Sequence, residues 1–224
     1  SLVSLILFIV AELRSPFPLV DLHLFRRRLF ISSLGASLLS FWMSAAHAFV
    51  IPFFLQNIFG FSPSKVGMLV FPVSLTVMVM APLGGRVSDR VGVRIPATIG
   101  LTVTSLTIFS FTFLGSSVSD YSILWRQVLL GIGIGFFNPA NNSAIIGSLS
   151  REKIGLASSF LALSRNLGMV IGIAFAEMVI ALRMPAATPS LQSIHDVWGL
   201  GLIIGLTAVL ISWIREKGIH PSRR

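Results

Sequence analysis

The stretch VGMLVFPVSLTVMVMAPLGGRVSDRVGVRIPATIGLTVTSLTIFSFTFLG, residues 66–115, decides the fold class. It holds two apolar runs, 66–83 and 95–115, parted by a short segment that carries Arg86, Asp89, Arg90 and Arg94. A helix needs roughly 20 apolar residues to cross the hydrocarbon core of a bilayer, and both runs have about that length. Neither alternates with period two as a barrel strand would. The stretch therefore predicts two antiparallel membrane helices joined by a charged connection. Four more runs of the same kind flank it, at 30–58, 122–146, 155–182 and 197–214. Pro52 in the first removes a backbone donor and predicts a kink near that helix's end. The expected class is an all-α integral membrane protein with a six-helix bundle over 30–214. Residues 1–11 (SLVSLILFIVA) read as the tail of a preceding membrane helix cut by a fragment boundary. Residues 12–29 read as a cytoplasmic linker on the lipid headgroups, and 215–224 as a basic cytoplasmic tail.

Composition points the same way. Of the 224 residues, 54% are hydrophobic and 11% charged, whereas soluble domains carry roughly 25% charged residues. The formal charge of +9 raises the question of nucleic acid, but the basic residues form no single patch. Thirteen of the seventeen, Arg14, Arg26, Arg27, Arg28, Arg86, Arg90, Arg94, Arg151, Lys153, Arg215, Lys217, Arg223 and Arg224, fall in alternate connections on one side of the six spans. The other connections hold Lys65 and Arg183. Cytoplasmic loops hold the excess of Lys and Arg, so both ends of the block are expected in the cytoplasm, in a multi-pass protein of the cell membrane. With no cysteine there is no disulfide framework, thiolate metal site or cysteine nucleophile.

The connection GGRVSDRVGVR, residues 84–94, reads as a short turn in which glycines allow close backbone approach and Asp89 caps the following helix. Its spacing resembles the G-x-x-x-D-R-x-G-x-R/K loop of the major facilitator superfamily, found between the second and third helices of a six-helix half. Gly85, Asp89, Arg90, Gly92 and Arg94 match it one for one. Further segments, PLVDLHLFRRRLF (18–30), IPFFLQNIFGFSPSKVGMLVFP (51–72), LGIGIGFFNPANN (130–142) and RNLGMVIGIAFA (165–176), look like the fourteen-helix drug:proton antiporters of the EmrB/QacA type. The resemblance implies that 30–214 is a C-terminal transporter domain of two three-helix inverted repeats. It also implies a missing N-terminal half as partner, small-molecule substrates and protons as cargo, and proton-coupled export of hydrophobic or cationic compounds by alternating access. The family's proton-coupling acids lie mostly in that other half, so this chain by itself does not display coupling. The alternative is a non-transporting six-helix module that serves as a docking or assembly unit in the lipid.

Ionisable groups inside a membrane cost roughly 2.5 to 3.5 kcal/mol or more at a helix centre, so each demands a partner or a watery cavity. Arg126 and Glu177, at similar depth on consecutive spans, are a candidate ion pair. Arg165 falls near the middle of its span with no acid at that depth; Asn138 and Asn142, the missing half, or an anionic substrate group are its candidate partners. Gln127, Asn138, Asn142, Arg165 and Asn166 form the candidate transport pathway. Gly131-x-x-x-Gly135, Gly168-x-x-x-Gly172 and Gly201-x-x-x-Gly205 predict close helix packing, and His47 reads as a packing residue. No catalytic site, metal site or cofactor is expected, because no H-E-x-x-H, phosphate-binding lysine loop or dinucleotide-binding glycine pattern is present.

Overall fold

The computed structural model describes residues 27–115, 118–182 and 191–215, and every regular element among them is helical. Helix α1 spans Arg28–Phe53 and widens into a π-helical turn, Phe54–Ile58, directly after Pro52. The missing donor of a proline leaves the ladder one bond short, and a wider turn absorbs the mismatch. The second span is broken at Pro72 into α2, Pro63–Val70, and α3, Pro72–Val91. Helix α4 covers Arg94–Ser110, α5 Asp120–Gly147, α6 Ile154–Leu182 and α7 Leu191–Ile214. Six spans were expected and six are present among the described residues. The broken proline helix and the early starts of the second and last spans were not legible as such.

Five of the six spans are long and apolar enough to cross a membrane. The sixth, α5, is 28 residues long but carries Arg126, Gln127, Asn138, Asn141 and Asn142. It tolerates them because it runs through the middle of the bundle and touches α1, α2, α3, α4 and α6. The two most extensive interfaces are α1 with α6 and α5 with α3. Exchanging the first three spans for the last three turns one of these pairings into the other, as an inverted repeat requires.

Small residues set the closeness of both interfaces. A Cβ added at Gly84 would lie 2.6 Å from the Gly135 carbonyl oxygen and 2.9 Å from the Phe136 Cα, so α3 and α5 meet backbone to backbone. On the other interface, Cβ atoms at Gly168 and Gly172 would collide with the carbonyl oxygens of Leu38 and Trp42 on α1. In lipid no hydrophobic force drives helices together, and this close contact supplies the dispersion energy that does. The third glycine pair divides: Gly205 packs tightly on Ser105, while Gly201 makes only ordinary contact with Ile108.

Residues from both repeats gather at the end of the bundle where the basic residues lie. Thr98 and Ser212 share a hydrogen bond of 2.9 Å, and Arg27 Nη1 donates to the Ser148 carbonyl at 2.6 Å. At the opposite end Lys65 pairs with Asp120 at 2.8 Å. There Trp198, fully buried, meets the rings of Phe54 and Phe111 at 5.0 and 5.3 Å. His47 joins this cluster, 4.7 Å from Phe111, as expected of a packing residue.

Candidate functional site

The segment 84–94 is not the turn that the sequence suggested. Helix α3 continues to Val91, so Gly85, Asp89 and Arg90 occupy its last two turns, and the chain reverses only at Gly92 and Val93. Gly92, at φ 84° and ψ 165°, adopts a positive-φ extended conformation that is open to glycine and strained for other residues, and thereby stops the helix. Asp89 does not cap α4, whose N-cap is Val93 without a side-chain bond. It stands exposed on α3, one turn from the end, beside exposed Arg86 and Arg90. Arg94 turns the other way and lays its guanidinium over the Trp213 ring, 4.4 Å from the centroid, which ties the start of α4 to the end of α7.

Arg126 and Glu177 are not joined. The guanidinium of Arg126 donates to Ser110 Oγ at 3.1 Å and to the Ser122 carbonyl at 2.7 Å, and it lies over the Trp125 ring at 4.4 Å. Hydroxyl, carbonyl and ring satisfy it locally on α5 and the end of α4. Glu177 is exposed on α6, a helix that packs on α1 and only lightly on α5. Depth along the membrane matched for the two residues, but rotation about the helix axes did not.

The candidate pathway residues separate into two groups. Gln127 is fully buried in α5 beside the His47 ring, with no hydrogen bond of normal length and angle to either amide atom among the described residues. Asn138 and Asn142 are half-buried on the same helix. Arg165 and Asn166 are exposed on α6, and Arg165 places its guanidinium 5.3 Å from the centroid of Phe41 on α1. Neither asparagine of α5 is hydrogen-bonded to Arg165 among the described residues, so that candidate partnership is absent.

The faces left uncovered differ in chemistry. Helix α6 buries Ala157, Leu161, Ser164, Gly168, Gly172 and Ala176, a stripe at three- and four-residue spacing. Away from that stripe it exposes Ser158, Ser159, Arg165, Asn166 and Glu177 among apolar side chains. Helix α7 exposes Leu200, Ile203, Leu206, Leu210, Trp213 and Ile214, and α4 exposes Ile95, Ile99 and Leu106. The α7 and α4 faces suit lipid, whereas a mid-span guanidinium on α6 does not. A groove of about 430 Å³ between the ends of α6 and α7, lined by Leu182, His195, Asp196 and Leu200 among others, lies away from the mid-span Arg165 and takes no part in this arrangement.

One buried polar link escaped the sequence reading. Arg215, assigned to the basic tail, is 1% exposed and donates through Nη2 to Asn141 Oδ1 at 2.8 Å. Asn141 Nδ2 in turn donates to the Ser33 carbonyl on α1 at 3.2 Å. Burial pushes the Arg215 guanidinium down to about 10, which leaves it charged at neutral pH. The signal that could have found it is the adjacent pair Asn141 and Asn142: on a helix only one of two neighbours can face a given interface.

Comparison with known proteins fits this architecture. The chain is 37% identical over 175 residues to the uncharacterized transporter YebQ of Escherichia coli K12, covering 78% of this chain and 38% of that protein. It is 27% identical to the riboflavin transporter RibZ of Clostridioides difficile, with the same coverage. To the multidrug resistance protein Stp of Mycobacterium tuberculosis it is 28% identical, covering 80% of this chain and 33% of that protein. The chain thus spans less than two fifths of the length of these relatives. The family model described as Major Facilitator Superfamily matches residues 15–223, nearly the whole sequence. The helical bundle with inverted pairings and this match together show that the chain belongs to the major facilitator superfamily.

Proposed function

We propose that the chain is the C-terminal half of a multidrug efflux transporter of the fourteen-helix EmrB/QacA type, residing in the cell membrane with its basic end in the cytoplasm. The bundle rocks against an N-terminal half and exposes a mid-membrane site to each side in turn, exporting hydrophobic or cationic small molecules against protons. The observation that carries this reading is the polar face of α6. Arg165 and Asn166 stand in the open near the middle of a membrane-length helix, while α4 and α7 turn apolar faces outward. A face of that kind needs water or a second bundle against it. Similarity to proteins named for multidrug resistance and riboflavin transport supports a small-molecule cargo. In this reading Asp89 and Arg90, exposed at the end of α3, engage the other half when the cytoplasmic side closes.

The test uses the whole transporter in inside-out vesicles. Acidifying the lumen is expected to drive uptake of a lipophilic cation such as ethidium, and collapsing the pH gradient is expected to release it. Uptake that is absent, or indifferent to the gradient, contradicts the proposal.

A further inference from the structure

Arg94 and Trp213 meet at the basic end of the bundle, where α4 begins and α7 ends. The guanidinium lies 4.4 Å from the centroid of the indole, and the tryptophan is itself 58% exposed. Stacking uses the flat face of a guanidinium and leaves its in-plane N–H donors unspent. Arg94 has neither a hydrogen bond nor an ion pair among the described residues. Its Nε is buried, but the side chain as a whole is only half-buried, so the terminal nitrogens open outward.

The two residues stand on a fixed base. Thr98, one turn into α4, shares its hydrogen bond with Ser212, the neighbour of Trp213, and Arg215 two residues further on is held by Asn141. Inward from the ring, Leu210, Leu206 and Ile203 follow at three- and four-residue spacing, all of them exposed. Ile95 and Ile99 face outward from the first turns of α4. From the end of the bundle inward the surface therefore offers a cation, an amphipathic ring and an apolar stripe. A phospholipid presents its phosphate, glycerol and acyl chain in that order. Tryptophan favours the headgroup level of a membrane, and a guanidinium takes two phosphate oxygens through parallel hydrogen bonds. A free phosphate has only an exposed charge pair to hold it, which water and salt weaken. A zwitterionic lipid brings its own cation to an end that already holds Arg27, Arg28, Arg86 and Arg90.

We propose that Arg94 and Trp213 hold the phosphate of one anionic phospholipid whose acyl chain lies along Leu210, Leu206 and Ile203, and that this lipid clamps α4 to α7. The site is independent of the cargo, and its failure leaves the transport proposal untouched. The test follows the melting temperature of the whole, delipidated transporter in detergent as dioleoylphosphatidylglycerol or dioleoylphosphatidylcholine is titrated into the micelles. Phosphatidylglycerol is expected to raise it along a saturating curve, half-complete at about a tenth of the mole fraction that phosphatidylcholine needs, the scale of one charge-assisted hydrogen bond. Arg94→Gln is expected to erase that tenfold preference. Trp213→Leu, a change at an exposed position that spares the fold, is expected to weaken phosphatidylglycerol binding about threefold. Arg28→Gln removes an exposed charge from the same end and is expected to leave the preference within about twofold. A wild type without preference overturns the inference, as does a preference that survives in Arg94→Gln or an unchanged affinity in Trp213→Leu. An equal loss in Arg28→Gln overturns it as well, since diffuse surface charge then accounts for the binding. So does an equal rise in melting temperature with millimolar inorganic phosphate alone.

Discussion

The guanidinium of Arg215 is held by the side-chain carbonyl of Asn141 at 2.8 Å, with both residues almost wholly buried between α7, α5 and α1. The other two guanidinium nitrogens, Nε and Nη1, are buried without a partner among the described residues. The link is therefore sensitive to the order in which it is dismantled. Removing Asn141 leaves a buried cation without its hydrogen-bond acceptor, a change worth about 1.5 to 3 kcal/mol, whereas an apolar residue in place of Arg215 removes the charge as well. Asn141→Ala is expected to lower the melting temperature of the detergent-solubilised transporter substantially, and Arg215→Met much less. Equal losses would mean that the pair carries no such asymmetry.

The close approach of α3 and α5 makes a second prediction. At Gly84 an added methyl meets backbone atoms of Gly135 and Phe136, which cannot swing aside. Gly84→Ala is expected to cost about 1 to 3 kcal/mol of stability through forced separation of the helices. Gly147→Ala and Gly67→Ala, where an added Cβ meets nothing within 4 Å, serve as controls and are expected to leave thermal stability nearly unchanged. A Gly84 variant as stable as the controls would show that the interface yields more readily than its geometry implies.

Asp89 offers the reverse case. It is exposed and caps nothing, so Asp89→Asn is expected to change thermal stability by less than about 0.5 kcal/mol. If its carboxylate engages the other half of the transporter, the same change lowers the transport rate. Arg94→Ala, by contrast, removes the stacking on Trp213 and is expected to cost about 0.5 to 1 kcal/mol. Paired melting and transport measurements separate the two roles; normal transport in Asp89→Asn removes Asp89 from the proposed closing contact.

The number of spans, their order and the tight contacts at Gly131, Gly135, Gly168 and Gly172 were legible in the sequence, because they depend on run length and residue size alone. What failed depended on rotation about helix axes. Arg126 and Glu177 matched in depth, yet Arg126 turns to Ser110 and Ser122 while Glu177 faces outward. Asn138 and Asn142 were singled out, but Asn141 between them reaches Arg215. The segment 84–94 looked like a loop because glycines and charges are common in loops. With no proline between Gly84 and Val91, and α5 packed alongside, the helix continues until Gly92. Arg165 was recognised as needing a partner, and its exposure beside Phe41 became visible only once α1 and α6 were placed together.

The central claim is that the polar face of α6 borders a water-filled path while the outer face of α7 meets lipid. The chain contains no cysteine, so single cysteines can be placed cleanly once any in the rest of the transporter are replaced. The deciding measurement is the rate at which a membrane-impermeant, positively charged thiosulfonate labels Asn166→Cys and Ile203→Cys in the assembled protein in membranes. Both side chains are exposed on the isolated bundle, on α6 and α7 respectively. The account predicts rapid labelling of Asn166→Cys, slowed by bound substrate, and no labelling of Ile203→Cys. Labelling of Ile203→Cys at least as fast as Asn166→Cys, or an inert Asn166→Cys, would contradict it.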